Sequence, residues 1–423
     1  MLAALLLTSL GATLSLQEAV EHARAHHPQL RQAEGDRQEA VAGAEVARAA
    51  LFPQVTATAA YQRTTGNYVI KPGTALPAGG APTPSGESFN FFAAGVTASV
   101  LVFDFGATYQ GAQAAREQAE AQKELALLSR EDVTLGAHTA YFTASATKAL
   151  VAVARETFEN QEKHVGQVRG FVKAGSRPAI DLAAVRADKA TAEVQLINAE
   201  NAYAIAKAQL AQAMGESGSA RFEVGDDRLP PVKGEDGDEE RLVAEAVKSR
   251  PAMLALERQL EAQRYLVGAA RAAYGPQIGA SSTLTAAGTQ PSQLTPNWNV
   301  LVTLTAPLFQ GFATSARVDQ LAGALNSLLA KKDALRQQTE VEVETALLRV
   351  RAAKASGTAA RDALANARER FNLAEGRYQA GVGNVIELGD AQLGLKNAAA
   401  QVVQADFGLS TARALLLWAL GRD

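Results

Sequence analysis

The chain is one unit written twice, and this duplication limits its possible folds more than any single motif, because whatever one half forms the other must form beside it. A displacement of 206 residues lays Phe92 to Gly215 over Trp298 to Gly421 without a gap. Val96 then meets Val302, Phe103 meets Phe309, Ala107-Thr108 meets Ala313-Thr314, and Ala174-Gly175 meets Ala380-Gly381. Upstream, a displacement of 223 aligns Pro28 with Pro251 and the run Arg48 to Val55 with Arg271 to Ile278. The difference of 17 residues places an insertion in the first half, in the loop 66–88, where Lys71-Pro72-Gly73 and Pro82-Thr83-Pro84 punctuate the chain.

These displacements set the domain organisation. Residues 13–215 form the first repeat, 216–239 an irregular connector rich in Gly, Asp and Pro, and 240–423 the second repeat. Each repeat opens with a short helix (16–25; 240–248), followed by one that begins at a proline (28–51; 251–274), where the missing N–H costs nothing. Two strands follow, about 54–64 and 90–102 in the first copy and about 277–286 and 298–306 in the second. A very long helix (105 to about 170; 310 to about 376), a tight turn and a last helix (179–214; 384–420) complete each unit. At about 1.5 Å per residue the long helix spans roughly 100 Å, so it needs a neighbour along its whole length. Alanine, which dominates the composition, favours helix and lets helices approach closely.

Residues 1–12 carry the apolar run Leu2 to Leu7 and then Thr8, Ser9, Gly11 and Ala12, the pattern of a signal peptide's apolar region and cleavage site. A positively charged start is missing, which leaves two readings: a signal peptide truncated at its N-terminus, or a short mature N-terminus. Cysteine is absent, which removes disulfides and thiolate metal sites and argues against a lipid anchor on the mature chain. The net charge of −3 without a basic block gives no footprint for nucleic acid.

No later run of about 18 apolar residues could cross a membrane as a helix, so any span must be a barrel. The strands suit one. Val55, Ala57, Ala59 and Tyr61 alternate with Thr56, Thr58 and Gln62; Phe92, Ala94, Val96, Ala98, Val100 and Val102 alternate with Thr97 and Ser99; Trp298, Val300, Val302 and Leu304 alternate with Asn299, Thr303 and Thr305. A half-buried sheet alternates identically, but strands of about ten residues also reach across a bilayer when tilted. Four strands per chain cannot close a membrane barrel, which needs about eight, so subunits must contribute jointly.

The arrangement resembles the TolC family of outer-membrane efflux proteins over nearly the whole chain. The order of duplicated elements, the Ala-Ala-x-x-Pro-x-hydrophobic signature at 49–55 and 272–278, and the hairpin turns at 171–182 and 378–388 carry the resemblance. It implies a mainly α fold with a small membrane β part: a duplicated helix-strand-strand-helix unit forming a trimeric 12-stranded β-barrel, continued by a long α-helical periplasmic barrel. The implied function is that of an outer-membrane channel subunit in a tripartite efflux or secretion system, a passive duct for drugs, metals or other solutes. The implied partners are two further copies of the chain, outer-membrane lipid, a periplasmic adaptor (membrane fusion) protein and an inner-membrane pump.

Through the resemblance, Gly175, Ser176, Gly381, Val382, Gly383 and Asn384 become adaptor-docking tips. Glycine after a long helix is a usual left-handed cap, and Asn384 or Ser176 can cap the helix that follows. Glu387 and Asp390, three residues apart on one helix face, match the family's acidic constriction, and threefold symmetry would repeat them as rings that favour cations. Tyr378 and Asp181 match residues that tie closed tips together. Gly383 departs from well-known members, which carry an arginine there; Arg177 stands at the corresponding place in the first copy. A plainer account puts Glu387 and Asp181 in a first helical turn, where carboxylates favour the dipole.

An enzyme is the first rival. His22 and His26 have a spacing that could chelate a metal, but no accompanying carboxylate motif and no phosphate-binding loop occur, so no cofactor, metal or catalysis is expected. A periplasmic or soluble coiled-coil interaction protein without pore activity is the second. It explains the helices and leaves the paired strands unexplained.

Overall fold

The computed structural model describes residues 13–66, 69–70, 86–217 and 221–422. The expected signal peptide and most of the loop 66–88 lie outside these residues. In order, the elements are β1 (Thr13–Leu14), α1 (Leu16–His26), α2 (Pro28–Ala49), β2 (Gln54–Thr65), β3 (Ser88–Phe103), α3 (Ala107–Lys173) and α4 (Ala179–Ala213). Then come β4 (Glu223–Val224), α5 (Glu239–Ser249), α6 (Pro251–Ala272), β5 (Gln277–Gly288), β6 (Thr295–Thr305), α7 (Ala313–Gln379) and α8 (Val385–Ala419). The helices match in length between the copies, 67 residues for α3 and α7 and 35 for α4 and α8.

Two compact units divide the chain. One holds Arg37–Gln122 and Ala255–Lys331, and within it lies an antiparallel four-stranded sheet of order β2-β3-β5-β6. The hairpin registers coincide under the two displacements: Gln54 faces Ser99 in one copy and Gln277 faces Thr305 in the other. Register therefore gathers the alternation into one continuous apolar face. Tyr61 lies opposite Phe92, Val96 opposite Leu284, and Leu284 opposite Trp298. The other face collects threonines, with the Thr97 and Thr283 hydroxyls hydrogen-bonded at 3.1 Å. A bulge between Leu101 and Phe103 then sets Phe103 opposite Ile278, re-aiming its ring onto the apolar face. β6 begins earlier than the sequence pattern suggests and includes Pro296, which has no backbone N–H to donate and is tolerated because β6 is an edge strand.

Both strand-to-helix turns pass through two left-handed residues, Phe105 and Gly106 in the first copy and Gly311 and Phe312 in the second. The long helices accordingly start at 107 and 313, later than the apolar pattern implies. They also end later, because Gly170 and Gly376 sit within the helices and the left-handed stops are Gly175 and Gly381.

The other unit holds residues up to Asp36, Lys123–Leu254 and those from Lys332 onward. Its core is built around Tyr141, Phe142, Leu210 and Met214 on one side of the duplication and Val343, Leu347, Val350 and Leu416 on the other. The connector is less irregular than its composition suggests. β4 pairs in parallel with β1, Tyr141 donates to Asp227 at 2.7 Å, and Lys148 donates to the Val224 carbonyl at 2.6 Å. Farther along, buried Glu235 receives Arg413 at 2.8 and 3.0 Å and Lys354 at 2.8 Å, while Arg413 also donates to the Leu229 carbonyl. The connector is thus tied to α3 in one copy and to α7 and α8 in the other.

Candidate functional site

The two helical hairpins end in turns of the same construction. In the first, the Gly175 N–H donates to the Val172 carbonyl and the Ser176 N–H to Phe171; in the second, Gly381 donates to Tyr378, and Val382 and Gly383 both donate to Arg377. Gly175 and Gly381 are left-handed, with φ of 73° and 79°, so a side chain at either would strain the backbone. The caps then differ. Asn384 accepts from the Glu387 N–H at 2.7 Å and caps α8. Ser176 does not cap α4: Pro178 occupies the cap position without a side-chain bond, and the Ser176 hydroxyl turns back to the Phe171 carbonyl. The two residues between Ser176 and the helix put its oxygen out of reach of the first-turn amides.

Arg177 crosses from the first turn to the second. Its Nη2 donates to the Gly383 carbonyl at 3.0 Å, and its guanidinium carbon lies 4.7 Å from the Tyr378 ring centre. Gly383 itself admits no side chain, since an added Cβ would lie 2.9 Å from the Tyr378 nitrogen. Arg177 thus reaches from the first hairpin to a backbone oxygen of the second.

Tyr378 is 1% exposed, packed edge-on against His164 at 5.2 Å and Phe171 at 6.3 Å, within a cluster including Val168, Val185 and Leu388. Its hydroxyl has no hydrogen-bond partner among the described residues. Burial raises the phenol pKa; the Arg177 charge opposes this and Asp181 reinforces it. Burial likewise lowers the pKa of His164, against the pull of Gln167, Asp188 and Glu375. His164 and Phe171 carry no distinguishing pattern in the sequence, where each is one ring on a long helix.

Glu387 pairs with Arg377 of its own hairpin at 3.2 Å, an exposed pair worth little. Asp181 is half-buried in the first turn of α4. Asp390 is exposed and borders a groove of about 330 Å³ among α3, α4 and α8, lined also by Gln161, Asp188, Gln195, Gln392 and Lys396. There Gln161 donates to Gln392 at 2.7 Å and Lys396 to Gln195 at 2.9 Å. The chain brings Arg177, Tyr378 and Gly383 together and leaves Asp390 outside that cluster. His22 and His26 stack at 4.3 Å and His22 meets Glu216 at 3.2 Å, but no group of three metal-ligating side chains occurs among the described residues.

No helix among these residues is long and apolar enough to cross a membrane. The family model for outer membrane efflux proteins matches residues 19–216 and 242–422. Outer membrane protein OprJ of Pseudomonas aeruginosa is 26% identical over 301 residues, which are 68% of this chain and 61% of OprJ. Protein CyaE of Bordetella pertussis is 28% identical, across 90% of this chain and 78% of CyaE. Among solved structures, a membrane protein from Pseudomonas aeruginosa superposes with a TM-score of 0.85 at 24% identity, covering 96% of this chain and 90% of that one. The Campylobacter jejuni CmeC outer membrane channel superposes with the same TM-score at 17% identity, covering 96% and 85%. The chain belongs to the outer membrane efflux protein family.

Proposed function

We propose that this chain is one of three identical subunits that close a 12-stranded barrel in the outer membrane, forming a passive exit duct for solutes that continues into the periplasm. The observation that carries this reading is the open sheet, which among the described residues has four strands, two unpaired edges, one continuous apolar face and one threonine-rich face. Such a sheet satisfies its edge groups in lipid only by joining further strands into a closed barrel. A periplasmic adaptor and an inner-membrane pump are the partners this role requires, and the turns at Gly175, Ser176, Gly381, Val382, Gly383 and Asn384 are the proposed docking tips. Drugs, metals or other solutes are the proposed cargo; the relatives include an E. coli cation efflux system protein, CusC, and a Pseudomonas putida toluene efflux pump outer membrane protein, TtgF.

Val382 tests the docking role without disturbing the turn, because its side chain is 71% exposed. Val382→Asp is expected to abolish cross-linking to the adaptor while the assembled channel persists; undiminished cross-linking would remove the tips from the proposal. The proposed constriction comprises Asp390 and Glu387 with Asp181, Tyr378 and Arg177 as the elements that hold it. Asp390→Ala should reduce cation preference and raise conductance in planar bilayers, since an exposed carboxylate repeated by threefold symmetry attracts cations. Unchanged values for both would exclude Asp390 from the constriction.

A further inference from the structure

Within one chain, the first copy meets the second along β3 and β5 and the turns beside them, and the contacts there are of a particular kind. The Phe105 ring lies over Gly275, where an added Cβ would sit 2.4 Å from it. The Gln110 side chain lies over Gly268, 1.7 Å from where a Cβ would be. Arg258 bonds Glu117 at 3.1 Å. Under the two displacements this seam maps onto a second pair of surfaces, β6 with its following turn and β2 with its preceding one, which do not meet within the chain.

The residues at the mapped positions are matched in reverse. Phe105 over Gly275 becomes Gly311 opposite Phe52, and Gln110 over Gly268 becomes Ala316 opposite Glu45. Large and small have changed sides in both pairs, so each pair keeps one bulky member and one space for it. The ion pair becomes Gly323 and Gly35, so neither surface presents a lone charge there. Gly311, Gly323 and Gly35 all face open space in the isolated chain, and Phe52 is 52% exposed. Phe309, which maps from Phe103, is 77% exposed and would meet Val55 as Phe103 meets Ile278. Joint reversal at two positions is expected of surfaces that fit each other, and has no reason to occur on surfaces that face lipid or water.

We infer that the edge strands β6 and β2 of two neighbouring copies pair antiparallel in the register of the internal β3–β5 seam, with Thr303 opposite Ala60 and Gly311 seated against Phe52 of the neighbour. This rests on the trimeric reading and adds to it which residues face each other. Faces agree in this register: Thr303 and Ala60 lie on the threonine-rich side, while Val302 and Tyr61 fall opposite each other on the apolar side.

Cysteine pairs test it without background, because the chain contains no cysteine. Directly opposed ladder residues have Cα atoms roughly 4.5–5.5 Å apart, within disulfide reach, whereas diagonal ones are about 7–8 Å apart. Thr303→Cys with Ala60→Cys is expected to oxidise to covalently linked multimers of the full chain in membranes. Thr303→Cys with Thr58→Cys, or with Gln62→Cys, should remain unlinked. Linkage of a shifted pair in place of the first overturns the register and leaves the trimer standing. Failure of all pairs, in a protein that a long amine-reactive cross-linker also leaves monomeric, overturns the trimer itself; failure of all pairs in a protein which that reagent does link overturns the register alone. Independently, Gly311→Phe should lower the fraction of detergent-resistant assembly, and adding Phe52→Gly should restore it by recreating the internal pair; absence of that rescue counts against the inference.

Discussion

Glu235→Gln is expected to lower the stability of its unit by about 3–5 kcal/mol, the usual cost of breaking a buried ion pair by removing one charge. The carboxylate is 2% exposed and receives Arg413 through two nitrogens, with Lys354 and the Val232 N–H completing its shell. Glutamine keeps the shape but leaves the largely buried Arg413 without a counter-charge. Burial alone would raise the Glu235 pKa, yet the hydrogen bonds from Arg413, Lys354 and Val232 outweigh it and hold the carboxyl at about 2. Because this value lies below the ordinary 4.5, the stabilisation is complete above about pH 4.5 and is lost as pH falls toward 2. Denaturant unfolding of wild type and variant should therefore differ strongly at pH 7 and converge near pH 2. A gap of the same size at both pH values would mean that the charge is not the source.

That network was invisible in the sequence, and the reason is physical. The run from Gly215 to Asp238 has the composition of a loop, and composition says nothing about which single acid in an acid-rich stretch turns inward. The same limit applies to β1 and β4, two residues each, too short for any alternation to register. The long helices and the paired strands were legible because their patterns repeat over many residues and then recur in the second copy. Helix ends are less legible: glycine marks the stop, but Gly170 and Gly376 compete with Gly175 and Gly381, and only backbone conformation separates them. At the tip, the sequence drew attention to Gly383 as a departure and to Arg177 as its counterpart. It could not say that one reaches the other, since that contact joins residues 206 positions apart.

Tyr378 provides the sharper functional test, because two roles for it predict opposite results. If its hydroxyl tied the tips together, Tyr378→Phe would loosen them. The hydroxyl is buried and unpartnered among the described residues, whereas the ring packs against His164 and Phe171 with Arg177 above its face, so the ring is the proposed tie. Tyr378→Phe should thus leave single-channel conductance unchanged and stabilise the unit by about 1 kcal/mol, through loss of an unsatisfied buried group. Tyr378→Ala should cost about 3–5 kcal/mol, as large-to-small changes of buried aromatics do, and raise conductance as the hairpins separate. Arg177→Ala belongs between the two, since it removes one charge-assisted hydrogen bond to Gly383 and one cation–ring contact but leaves the buried cluster intact. Bilayer recordings of the three variants should rank Tyr378→Ala above Arg177→Ala and Arg177→Ala above Tyr378→Phe. Were Tyr378→Phe to open the channel as widely as Tyr378→Ala, the hydroxyl and not the ring would be the tie.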